Sequence, residues 1–170
     1  MSSKNRNLSA SQGEIPSGEN LKIGIVLSDW NEKITHALYD ACLETLLENG
    51  TNKDDIKTIH VPGTFELPVG AKLLMGEENF NAIICIGCVI KGETKHDEYI
   101  SNAVAQGLIN LGVLSGKPVI FGVLTPNTME QAMDRAGGKY GNKGVEAAVT
   151  ALKMASIKRS FKGFKVKIGF

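Results

Sequence analysis

The strongest constraint on this chain is the apolar run Ala82-Ile83-Ile84-Cys85-Ile86-Gly87-Cys88-Val89-Ile90, bounded by Asn81 and by Lys91-Gly92. It has the length of a strand and no polar face, so it belongs in a sheet covered on both sides. A helix follows from Asp97, where Ile100, Val104, Leu108 and Leu111 recur at spacings of three and four and Gly116-Lys117-Pro118 supplies a stop. Between strand and helix lie Gly92, which lets backbone approach a ligand, the hydroxyl of Thr94 and the imidazole of His96. All three stand at a helix N-terminus, whose free amides favour an anion. A turn of this kind can hold a phosphate beside a proton-transfer group.

The rest of the chain repeats the alternation. Residues 21–28 read as a first strand, Asp29-Trp30-Asn31 as a turn, and residues 32–49 as a helix closed by Gly50. Residues 56–61 form a second strand ended by Pro62-Gly63, after which Thr64-Phe65-Glu66-Leu67-Pro68 leads into a helix reaching about Met75. Residues 119–124 are a fourth strand, Thr125-Pro126-Asn127-Thr128 a loop that caps a short helix through Ala136, and residues 137–142 a glycine-rich break. A last amphipathic helix runs from Lys143 to about Lys158. Strands alternating with helices predict a parallel sheet with right-handed crossovers and helices on both faces. Ligands of such sheets bind beyond the carboxyl ends of the strands, which here carry a tryptophan, a glutamate and a histidine.

With 170 residues and 42% apolar composition the chain can fill one core. We expect one domain over residues 21–158. Residues 1–20, rich in Ser, Asn and Gly, are expected to be flexible, and residues 159–170 form a basic tail. No apolar run reaches membrane length and no secretory leader pattern opens the chain, so the cytoplasm is the expected location. Three cysteines, two of them in the buried strand, fit reduced core thiols. They lack a further ligand at the spacing zinc requires. Six basic residues and no acid follow Glu146, so the formal charge of +1 hides an acidic body and a basic end. That end carries no stacking platform or recognition helix and reads as a solvated tail, not a nucleic-acid arm. Dinucleotide and P-loop signatures are absent.

Position alone leaves Trp30 open between stacking on a flat heterocycle and covering the core rim. Glu66 either favours a helix start or accepts hydrogen bonds from a polyol or uracil-like ligand. His36, inside the first helix, and His60, ending the second strand, read as structural. His96, at the predicted mouth, is the side chain best suited to proton transfer near neutral pH. Arg135 ends a helix that runs away from the ligand edge, which at about 1.5 Å per residue leaves it roughly 10 Å off. Either it has no part in this site or it serves the site of a neighbouring subunit, and the second option needs a closed ring of heterologous contacts.

Ser28-Asp29-Trp30-Asn31, the segment Pro62 to Pro68, the segment Gly87 to His96, and Gln131-Ala132-Met133-Asp134-Arg135-Ala136-Gly137 with Gly141-Asn142-Lys143-Gly144 together resemble the 6,7-dimethyl-8-ribityllumazine synthase family. The resemblance implies a three-layer flavodoxin-like α/β sandwich around a four-stranded parallel sheet. It also implies condensation of 5-amino-6-(D-ribitylamino)uracil with 3,4-dihydroxy-2-butanone 4-phosphate, the penultimate step of riboflavin synthesis, with no cofactor or metal. Carried over by position, Trp30 with Asn31 would meet the heterocycle, and Val89, Ile90 and Lys91 would read the pyrimidine edge. Thr64, Phe65 and Glu66 would hold the ribityl chain, Glu93 and Thr94 the phosphate, and His96 would be the general acid and base. Phe121, Arg135, Lys143 and Glu146 would arrive from the adjacent subunit of a homopentamer. Some members assemble into sixty-subunit shells, and the short connection from Arg135 to Lys143 points that way here. Two rivals remain at this level: a flavodoxin-like electron carrier, which lacks the hydroxyl-rich loop it needs after the first strand, and a non-catalytic lumazine-binding or shell-forming protein.

Overall fold

Alternation along the first strand sets up two cores. The computed structural model describes residues 14–161. In chain order its elements are β1 (Ile23–Ser28), α1 (Glu32–Glu48), β2 (Ile56–Val61), α2 (Leu67–Glu77), β3 (Ala82–Cys88), α3 (His96–Ser115), β4 (Val119–Leu124), α4 (Met129–Asp134), β5 (Ala136–Gly138), β6 (Gly141–Asn142) and α5 (Lys143–Phe161). Ile23, Ile25 and Leu27 of β1 pack with Leu38, Cys42 and Leu46 of α1 and with the alanines of α5. Val26 points the other way, to Leu67, Ala71 and Leu74 of α2 and, with Ile83 and Cys85 of β3, to Val104 and Leu108 of α3.

The four strands are parallel in the order β2-β1-β3-β4. This is the expected three-layer sandwich. Registers such as Ile23 beside Ile56 and Ala82, and Cys85 beside Phe121, bring all the carboxyl ends to one edge. Every residue of β3 is buried, as its unbroken apolar run requires. Its regular ladder stops at Cys88 although the apolar run continues. Val89 N–H still donates to Leu124 O at 2.8 Å and Lys91 N–H to Pro126 O at 2.9 Å, but Pro126 has no N–H to return.

Cys42, Cys85 and Cys88 are free and buried, and burial pushes their thiols up, to about 12 for Cys42 and about 11 for Cys88. They are core side chains and not a redox pair.

Several boundaries differ from expectation for local reasons. Within the segment set aside on composition, Ile15 lies partly buried against the core and Gly18 N–H donates to Asn49 O at 2.7 Å, while Glu14, Ser17, Glu19 and Asn20 are exposed. The remainder of that segment, residues 1–13, and the alternating Phe164, Val166, Ile168 and Phe170 lie outside the described residues. The predicted break at 137–142 is a small antiparallel hairpin, β5 with β6, whose strands are too short to show a period. α4 ends at Asp134, two residues before the expected end.

α1 and α5 cross closely because α5 presents Gly144, Ala147, Ala148, Ala151 and Ala155 as its buried residues beside Val149 and Leu152. A Cβ on Gly144 would run into the carbonyl of Leu38. Gly144→Ala therefore forces backbone apart at that crossing. We expect a loss of about 1–3 kcal/mol, read in a thermal melt as a Tm lower by several degrees, while the surface change Lys139→Ala leaves Tm unmoved.

Candidate active site

The carboxyl ends of β1, β2 and β3 are bound together beyond their last ladder residues. Asp29 N–H donates to Val61 O at 2.9 Å and Trp30 N–H to Pro62 O at 3.1 Å, so the loops after β1 and β2 run side by side. Asn31 turns the chain with φ of 61°, a left-handed conformation that asparagine tolerates better than most residues. Its side-chain amide donates to Cys88 O at 2.8 Å, and the buried Thr64 hydroxyl makes a longer contact to the same oxygen at 3.5 Å. Three segments thus meet at the end of β3.

They enclose a cleft of about 690 Å³, lined by Trp30, Asn31, Thr64, Phe65, Glu66, Val89, Ile90, Thr94 and His96 among others. Trp30 is 71% exposed, which excludes the core-rim reading and leaves its indole face available to a flat ring. The half-buried Glu66 has no ion-pair or hydrogen-bond partner for its carboxylate among the described residues. Val89 and Ile90 offer backbone edge, with the Val89 N–H already engaged by Leu124.

His96 is the first residue of α3, and its backbone N–H donates to Thr94 Oγ1 at 3.4 Å. Asp97 accepts from Gly92 N–H at 3.5 Å and ties the turn to the helix start. Lys91 and Glu93 are exposed and stand outside the cleft wall, between residues that line it. Sequence reasoning missed Asp97, Tyr99 and Ile100, which do line it. The signal was present: Tyr99 and Ile100 stand three and four residues after His96, hence on the same helix face. The reading of α3 as a core helix hid it, although Tyr99 is 71% exposed.

The turn carries Glu93, Asp97 and Glu98 against Lys91 and Lys95, so side-chain charge does not help its free amides to hold a dianion. The chain keeps the one arginine of residues 21–158 elsewhere. Arg135, capping α4, donates through Nη1 to Gln131 O at 3.3 Å and stacks 4.9 Å from the Tyr140 ring centroid. It does not line the cleft. Neither do Phe121, Lys143 or Glu146, which border a second groove of about 680 Å³ along the open edge of β4, with Lys143 Nζ 2.9 Å from Glu146 Oε2. Of the predicted site residues, one set therefore lines the cleft, Phe121, Lys143 and Glu146 border the β4 groove, and Arg135 lines neither.

A family profile described as 6,7-dimethyl-8-ribityllumazine synthase matches residues 20–159. The chain belongs to the 6,7-dimethyl-8-ribityllumazine synthase family. It is similar to the proteins of that name from Cytophaga hutchinsonii, with 53% identity over 91% of this chain and 97% of that protein. Its similarity to the Porphyromonas gingivalis protein is 52% over 85% and 90% of the two chains, and to the Christiangramia forsetii protein 43% over 97% and 99%. The lumazine synthase family match spans both groups of residues, the cleft and the β4 groove.

The Asn31 amide is the tie most open to test. Asn31→Ala removes the bond to Cys88 and places an alanine in the left-handed region. We expect a loss of about 1–3 kcal/mol in denaturant unfolding. Asn31→Gly, which relieves the backbone but also lacks the amide, should recover part of it.

Proposed function

We propose that this chain is a transferase of riboflavin biosynthesis that condenses 5-amino-6-(D-ribitylamino)uracil with 3,4-dihydroxy-2-butanone 4-phosphate to 6,7-dimethyl-8-ribityllumazine. The observation that carries the reading is the cleft at the ends of β1, β2 and β3, which gathers an exposed indole, an unpartnered carboxylate and an imidazole at a helix start, in a chain of this family. Trp30 stacks on the heterocycle, Val89 and Ile90 present backbone to the pyrimidine edge, and Glu66 takes the hydroxyls of the ribityl chain.

The reaction condenses both amino nitrogens of the uracil with the four-carbon substrate, losing two waters, and expels phosphate. Both steps move protons beside a dianion, so the acid–base group and the anion clamp must be neighbours. His96 supplies the first. The amides at the start of α3 supply half of the second, and Arg135 of an adjacent subunit the other half. Lys143, Glu146 and Phe121 of that subunit complete the wall.

Apolar side chains along the β4 groove support self-association. Ile109, Val113, Met154, Ile157 and Phe161 line it, Val113 being 73% exposed, a grouping of exposed apolar side chains that suits an interaction surface. The assembly is a homopentamer, extended to a sixty-subunit shell on the ground of the short hairpin between Arg135 and Lys143, and it works in the cytoplasm. No described helix is long and apolar enough to cross a membrane.

Mixing the two substrates with the protein and following lumazine fluorescence tests the activity, and a native mass of five or sixty chains tests the assembly. The alternative, a non-catalytic lumazine-binding shell, predicts binding without product. His96→Ala should lower kcat by about 10²-fold or less, because positioning survives it. Arg135→Ala should instead raise KM for the phosphate substrate by roughly 10–100-fold, the worth of a charged hydrogen-bonding pair. Unchanged kinetics in both variants would remove the site assignment.

A further inference from the structure

Two histidines that read as structural in the sequence meet on the surface beside the cleft. Asp29 follows β1, His60 lies on β2 and His36 on the second turn of α1, and one ligand atom from each falls within 4.8 Å of the other two. His60 Nδ1 is 2.7 Å from Asp29 Oδ1, and the two imidazoles stand edge to face with centroids 6.3 Å apart. Glu32, one turn before His36, approaches it alone, its Oε1 3.8 Å from His36 Nδ1.

We propose that Asp29, His36 and His60 form a binding site for a transition-metal dication of the zinc class, its remaining coordination completed by water. Two nitrogen donors and one carboxylate suit zinc, cobalt or nickel and disfavour magnesium and calcium, which take oxygen. Metal–ligand bonds of about 2.0–2.1 Å place tetrahedral donors roughly 3.3 Å apart. The short Asp29–His60 contact must open slightly and the wider separations close. Side chains 42% to 56% exposed, held by no core packing, can make that rotation. The donors come from three elements, so the ion would tie β1, β2 and α1 together at the end of the sheet that carries the cleft. Asp29 adjoins Trp30, and the strand of His60 leads into Thr64, Phe65 and Glu66. The ion takes no part in the condensation, and the site stands whether or not the proposed reaction does.

The test uses the full chain, freed of metal with a chelator and titrated with Co²⁺ and then with Zn²⁺. We expect saturation at one ion per chain, cobalt absorption bands of a four- or five-coordinate site, their loss on zinc addition, and a Tm raised by metal. The double variant His36→Gln/His60→Gln should bind more weakly by more than about 10²-fold, the upper cost of losing even an outer-shell partner, its metal-free melt and far-UV spectrum showing that it is folded. His96→Gln, which alters the remaining histidine of the three in the sequence, should bind like the parent. Absence of saturable binding, equal binding by the double variant, or loss of binding in His96→Gln would each overturn the assignment.

Discussion

The carbonyl of Cys88 is the point on which the rest of the cleft depends. β3 is buried along its whole length and cannot shift without breaking both cores, so its last carbonyl is a fixed acceptor. Asn31 and Thr64 come to it from the loops after β1 and β2. The first is a 2.8 Å bond from an amide whose backbone is already committed to a left-handed turn. Through these ties the indole of Trp30 and the carboxylate of Glu66 take their distance from His96 off one rigid strand. Loops alone would place them with the scatter of loops.

The same rigidity keeps Arg135 apart from the cleft within one chain. Residues 91–98 carry more acid than base, and α4 starts at the ligand edge but points away from it, which leaves Arg135 over Tyr140 and next to Gln131 O. That guanidinium is already oriented before any partner arrives, by a stacking contact and a backbone acceptor. A second subunit carrying it into the cleft would therefore spend little side-chain entropy on ordering it. The apolar groove beside β4, whose outer edge pairs with no other described strand, is a second surface that a neighbouring subunit would cover.

Much of the architecture is legible in the residues. β2 and β4 have the expected limits, because the first is a β-branched-rich stretch stopped by Pro62 and the second an apolar run stopped by Thr125-Pro126, and Gly50 and Gly116 do stand at positive φ at helix ends. The small hairpin of β5 and β6 escaped, since strands of three and two residues carry no period. Within the cleft, Trp30, Glu66 and His96 were visible because strand ends point to one edge in a parallel sheet. Tyr99 was not, because a helix read for its core face is blind to its ends.

Local patterns set the element types, their order and the edge where ligands bind, because periodicity, capping and the handedness of crossovers act over a few residues at a time. Proximity between segments far apart in the chain was out of their reach. That Asn31 and Thr64 share the oxygen of Cys88, that His36, His60 and Asp29 converge, and that Phe121, Lys143 and Glu146 line a different groove from His96 are consequences of strand order and helix packing. Those follow from how two cores fill at once, a sum over the whole fold that no single stretch of residues contains.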